Sequence, residues 1–219
     1  TGIKTLDDYA TQFGLGQYTG IEIGGPNSAE AKGALASPEY AEANDLEWSD
    51  GQTLTAAIGQ SYSLFTPLQL ANYVATLAGG GTRYNAHLLK EVRTYDSAEL
   101  VDVYDEPPAE IVDIEPENLQ AVLQGMRDLV VSGSVAYYFK DCVVDAAAKT
   151  GTAQTGGKVS NGVFVAFAPY DDPQIALAVV IEKGGSGGAL ASTAVQILNA
   201  YFTSVDEAKA VVGENMLIQ

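Results

Sequence analysis

Cysteine is almost missing from this chain. Cys142 stands alone among 219 residues, so no disulfide can close within it, and a bacterial surface or a cytosolic setting fits equally. Basic residues are scarce as well. Eleven Lys and Arg face 28 Asp and Glu, for a net charge of −17, which excludes the clustered cations that nucleic acid or an anionic lipid surface would need. Histidine is reduced to His87, with no Cys nearby and few acidic neighbours in sequence, so neither a metal centre nor a metal cofactor is expected. Long hydrophobic runs are absent too: the longest, residues 175–181, falls far short of the ~20 residues of a bilayer-spanning helix. Thr1 follows no signal peptide and no initiator Met, and reads as a boundary inside a longer protein. What remains is 47% hydrophobic residues, ordinary for a globular chain and enough for one sizeable core.

Helical patterns come first along the chain. Thr5 with Asp8 reads as a capping box, Leu6, Tyr9, Ala10 and Phe13 as an apolar face, and Gly14 as a stop. Residues 16–37 are turn-rich around a short alternating piece, Ile21-Glu22-Ile23, and 38–51 reads as a polar, acidic surface stretch. Thr66 then caps the clearest helix, with Pro67 at its first position, Leu70, Val74 and Leu77 at helical spacing, and Gly79-Gly80-Gly81 at its end. Residues 87–103 suit a hairpin that residues 105–108 break. A second helix starts near Glu115, with Leu119, Val122, Leu123, Met126, Leu129 and Val130 as its stripe and Gly133 as its stop.

The last third changes period. Residues 143–152, 162–168 and 174–182 are three strand candidates, joined by turns at Gln154-Thr155-Gly156-Gly157 and Tyr170-Asp171-Asp172-Pro173. Connections this short favour antiparallel neighbours. The third strand is apolar on both parities, which predicts cover on both faces. A Gly-rich loop, 184–188, leads into a closing helix over 189–202. The fold class is α+β, helices followed by an antiparallel sheet and a closing helix.

One strand end carries chemistry. Lys149, Thr150, Gly151 and Thr152 set a cation and two hydroxyls on a strand, and Gly151 removes a side chain that would hold off an approaching substrate backbone. That pattern makes a carboxylate site. A bare Lys-Thr-Gly would occur by chance in about one chain in twenty of this length. Other residues read plainly: Cys142 beside valines as a small buried residue, Trp48 as packing, residues 96–110 as a solvated acidic surface, and loop 184–188 as no phosphate cradle, because it lacks the Lys-Ser/Thr ending.

The neighbours of Lys149 give it weight. Lys149-Thr150-Gly151-Thr152-Ala153-Gln154 resembles the KTGTAQ strand of penicillin-binding transpeptidases. Ala57-Ile58-Gly59-Gln60, Thr66-Pro67-Leu68-Gln69-Leu70-Ala71 and Gly79-Gly80-Gly81 resemble that family's GQ…TPLQLA…GG block. Phe13-Gly14-Leu15-Gly16 with Thr19-Gly20-Ile21 resembles its FGLG…TGI stretch, and Phe164-Val165-Ala166-Phe167-Ala168-Pro169 its following strand. The blocks stand in family order nearly end to end, and look most like class B enzymes. Two family motifs are absent: no Ser has Lys three residues later, and none has Asn two residues later.

The resemblance therefore implies that residues 1–219 are the C-terminal part of a single transpeptidase domain of the serine β-lactamase/penicillin-binding fold. The S-x-x-K nucleophile, the S-x-N motif and the first strands of a five-stranded sheet would lie before Thr1, on an N-terminal piece that packs as a partner. It implies a D,D-transpeptidase that cross-links peptidoglycan stem peptides through a serine acyl-enzyme and binds β-lactam antibiotics. Lys149 and Thr152 would take catalytic roles, and Thr150, Gly151, Thr152 and Gln154 would bind substrate, without a cofactor. The setting implied is the extracytoplasmic face of a bacterial membrane, with the anchor outside this chain. Alternatives are a D,D-carboxypeptidase or serine β-lactamase of the same superfamily, or a non-catalytic β-lactam sensor or scaffold; the TPLQLA block and its distance from KTG speak against the β-lactamase.

Overall fold

A computed structural model of the chain describes residues 2–23 and 29–215. It divides into two units, Thr1–Glu115 and Pro116–Gln219.

In the first unit, helix α1 (Ile3–Gln12) starts earlier than the Thr5/Asp8 pattern suggests. Gly2 is the N-cap without a side-chain bond, Thr5 lies inside the helix, and Asp8 accepts from Lys4 Nζ at 2.8 Å in an i,i+4 pair instead of capping. Its apolar face is not closed over: Leu6 and Tyr9 stay exposed. The expected stop holds. Gly14 takes φ +81°, Leu15 N–H donates to Ala10 O and Gly14 N–H to Thr11 O, which is the Schellman pattern.

Ile21-Glu22-Ile23 forms a turn rather than a strand, and residues 24–28 of that turn-rich stretch lie outside the described residues. The Glu22 carboxylate accepts from the N–H groups of Leu88 and Leu89, and these bonds lower its pKa. The acidic stretch 38–51 is more structured than its polarity suggests. Ser37 caps α2 (Pro38–Ala43), accepting from Tyr40 N–H at 3.0 Å; Ala41 is buried, and α3 (Asp50–Ala56) follows. Trp48 packs beside Tyr62, as expected.

Helix α4 (Pro67–Ala78) forms where the sequence places it, with a full capping box between Thr66 and Gln69. Val74 and Leu77 are buried. Two small antiparallel pairs complete the unit: β1 (Thr82–Arg83) with β4 (Glu110–Ile111), and β2 (Glu91–Arg93) with β3 (Leu100–Val103). The second pair is the expected hairpin, exposed along both strands.

The second unit opens with α5 (Pro116–Val131) and the short α6 (Ala136–Phe139). Met126 and Val130 of the predicted stripe are buried, whereas Val122 is 47% exposed. The three strand candidates become β5 (Ala147–Ala153), β6 (Asn161–Ala168) and β7 (Ile175–Ile181), antiparallel in the order β5-β6-β7. A 3-10 turn (Gly187–Leu190) leads into α7 (Ala191–Asn215).

The core of this unit gathers Ala148, Phe164 and Ala166 from the sheet with Leu190, Ala194 and Leu198. Alanines on both sides let helix and sheet approach closely. Strand β7 does not get the cover that its apolarity predicts. Leu177 is buried, but the rest of the strand is partly exposed and Ile181 is 43% exposed, and among the described strands β7 pairs only with β6. No described helix is long and apolar enough to cross a membrane.

Candidate functional site: strand β5 and its surroundings

Strand β5 is anchored at one end and open at the other. Ala147 and Ala148 are wholly buried, while Lys149 and Thr152 are exposed. Only β6 pairs with it among the described strands, so its other edge is unpaired there. Alternation along the strand puts Thr150 and Thr152 on one face and Lys149 and Gly151 on the other. Thr150 stands across from Phe164, and Thr152 across from Gly162.

The predicted site residues thus fall into two sets. Thr150 and Thr152 share a face, and Thr152 Oγ1 accepts from Gly187 N–H at 3.3 Å. A hydroxyl that accepts through a lone pair keeps its proton for another acceptor. Lys149 Nζ turns back to Thr150 O at 2.5 Å, so the ammonium lies along its own strand. Gln154 lies past the end of β5, exposed. Gly151 has a reason internal to the sheet: a Cβ there would press on Val163 Cβ at 3.3 Å.

Three further residues hold the frame, and motif reading did not single them out. Arg127 on α5 donates from Nη1 to Ala146 O at 2.8 Å and from Nη2 to Asp145 Oδ1, with its guanidinium over the Tyr170 ring. The signal was available: Arg127 lies three residues before Val130 and four after Leu123 in the apolar stripe. Gln69, 1% exposed, donates from Nε2 to Gln17 O and Lys32 O and accepts from Thr66 N–H at 2.9 Å. In the first unit this ties the TPLQLA block to the chain just after FGLG. Arg83, also buried, donates to Gln12 O at 2.9 Å. Cys142 is half-buried and burial pushes its thiol pKa up, so it is no activated nucleophile.

Comparison with known proteins places the chain. The penicillin-binding protein transpeptidase domain model matches residues 1–201, most of the chain. This chain belongs to that family. Penicillin-binding protein 2A of Bacillus subtilis is 37% identical over 195 residues, covering 83% of this chain and 25% of that protein. Peptidoglycan D,D-transpeptidase MrdA of Escherichia coli is 30% identical over 217 residues, covering 90% of this chain and 33% of that protein. This member of the family therefore spans a quarter to a third of the length of these relatives.

Solved structures agree in fold. Penicillin-binding protein 2 of Helicobacter pylori, in its complex with MreC, superposes with a TM-score of 0.77 at 26% identity, covering 93% of this chain and 36% of that one. The Pseudomonas aeruginosa protein in complex with WCK 5153 superposes with a TM-score of 0.75 at 32% identity, covering 91% and 44%. The α+β reading, with an antiparallel sheet and a closing helix, is therefore that of a penicillin-binding transpeptidase domain.

Proposed function

We propose that this chain supplies the substrate-binding strand of a peptidoglycan D,D-transpeptidase that also binds β-lactams. The observation that carries the reading is the Lys149-Thr150-Gly151-Thr152 run on a strand with one edge unpaired among the described strands, inside a transpeptidase-family chain. On this reading all 219 residues belong to one transpeptidase domain. The S-x-x-K serine and the S-x-N motif are carried by an N-terminal part of the same protein, because no Ser here has the required Lys or Asn.

The chemistry is a two-step acyl transfer. A stem peptide lies antiparallel along β5 as an added strand. Its terminal carboxylate accepts from the Thr150 and Thr152 hydroxyls in the field of Lys149. The serine oxygen attacks the carbonyl between the two terminal D-alanines. The Thr152 N–H is one donor to the oxyanion, and the N–H of the serine is the other. The C–N bond breaks, D-alanine leaves with the serine proton, and an acyl-enzyme remains. An amine of a second stem peptide attacks the ester, transfers its proton and frees the serine, leaving a cross-link. A β-lactam enters the same place because it offers a carboxylate and a strained amide at similar spacing.

The work is on peptidoglycan, so the site faces the extracytoplasmic side of a bacterial membrane, with the anchor outside this chain. The H. pylori relative is seen with MreC, which supports a protein partner for the whole enzyme. Labelling with a fluorescent penicillin tests the reading. The longer protein should be labelled at its S-x-x-K serine, and residues 1–219 alone should not. A label mapped to a residue of this chain would overturn the division of labour.

A further inference from the structure

Loop 184–188 rests on the substrate strand itself. A Cβ on Gly187 would fall under 3.0 Å from Gly151 O, Val163 O and Gly151 N. The loop backbone therefore lies against the peptide of Gly151, on the face that carries Thr150 and Thr152. Space, rather than a left-handed torsion, requires glycine at this position.

The loop is held from several sides. Lys183 N–H donates to Asn161 Oδ1 and Gly185 N–H to Ser160 O, both at 2.9 Å. Ser186 caps the 3-10 turn by accepting from Gly188 N–H at 3.3 Å. Leu190 is buried in the core, with its side chain near Gly162 on β6. A backbone donor fixed in this way is a permanent feature of the strand's surroundings.

We propose that Gly187 is a positioning residue for the carboxylate site, and this rests on the reading of β5 as the substrate-binding strand. Its N–H donates to Thr152 Oγ1 at 3.3 Å. With one lone pair of the hydroxyl occupied from the loop side, the single hydroxyl proton turns outward, where a substrate carboxylate accepts it. Without that donor the hydroxyl rotates freely and can present a lone pair, which repels a carboxylate. The loop thus converts a threonine that could accept or donate into one that donates. The specificity it serves is for substrates ending in a free carboxylate.

A backbone ester tests this without adding a Cβ. In the longer protein, glycolic acid in place of Gly187 removes the N–H and keeps the space. The readout is the ratio of second-order acylation rates for benzylpenicillin and for its neutral methyl ester. The ratio is expected to fall about three- to tenfold, with the rate toward the ester changed by less than about twofold. Thr152→Val should lower the ratio at least as far, and Thr152→Ser should keep it. An unchanged ratio in the ester variant overturns the proposal. So does an equal loss for both probes, which marks a structural loop. A wild-type protein that is acylated without preferring the free acid overturns the reading of the strand itself, and this proposal with it.

Discussion

Arg127 Nη1 donates to Ala146 O at 2.8 Å, so a helix residue grips the backbone one position before β5 begins, across 19 residues of sequence. The same guanidinium reaches Asp145 and lies over Tyr170. The Asp145 side chain is 72% exposed, so the ion pair itself adds little. The bond to Ala146 and the ring contact belong to the less exposed end. Arg127→Ala should therefore cost about 1–2 kcal/mol, and Asp145→Ala less than about 0.5. Arg127→Lys should recover less than half, because an ammonium cannot form the fork. Urea unfolding of the longer protein, read with hydrogen exchange at the β5 amides, measures all three.

Gln69 plays the matching part in the first unit. It is buried, and its amide serves Gln17 O, Lys32 O and Thr66 N–H at once. Gln69→Leu keeps the volume but strands these groups and undoes half of the capping box. The expected loss is about 2–4 kcal/mol. Gln69→Glu should be no better, since a carboxylate would face two carbonyl oxygens. A thermal melt compared with Leu68→Ala, whose side chain is 39% exposed, sets the scale.

What the sequence shows is what local chemistry dictates. Thr66-Pro67 and the spacing of Leu70, Val74 and Leu77 fix α4, because cap, first residue and stripe agree. The strands of the second unit are bounded by turns legible in Gly156 and Pro173. The helices over 38–56 stay hidden because their surface is polar and only Ser37-Pro38 and Ser49-Asp50 signal them. Thr5 misleads because the helix begins at an uncapped glycine. Strand β7 misleads because apolar residues on both parities do not tell what covers them. The Lys149–Thr152 run is legible as a motif. Arg127, Gln69 and Gly187 act through partners 19, 52 and 35 residues away, so a local pattern such as the stripe around Arg127 places the residue on its element but does not name what it holds.

Asp7 gives the first unit a pH dependence. Burial, with the nearby charges of Glu39 and Asp8, raises its carboxyl from an ordinary 3.8 to about 6. The folded state therefore holds this proton more tightly than the unfolded chain. The contribution is fully present below pH ~4, is lost as pH rises through about 6, and is gone above that. Because the group is only partly buried, the amplitude is small. Asp7→Asn should flatten this part of the stability profile. Urea midpoints at pH 4.5 and 7, compared between wild type and Asp7→Asn in one buffer series, check the sign. A wild-type midpoint that rises relative to Asp7→Asn over that interval would contradict it.

Lys149 separates chemistry from folding most cleanly. The residue is exposed, and its one hydrogen bond among the described residues goes to the carbonyl next to it. Nothing in the packing of β5 depends on the ammonium, so Lys149→Ala should shift the melting temperature by less than about 2 °C. The field at the carboxylate site does depend on it. In a chain of net charge −17, this is the cation on the strand read as meeting a substrate anion. Loss of a charge-assisted donor in such a place lowers acylation by about 100-fold or more. Lys149→Arg keeps the charge but extends and flattens the donor, and should recover part of the rate. Lys149→Met keeps the stem alone and should recover none. Acylation kinetics with benzylpenicillin on the longer protein, set beside a melt of each variant, decide the matter. A variant that melts early and is slow only because it is unfolded would return Lys149 to a structural role.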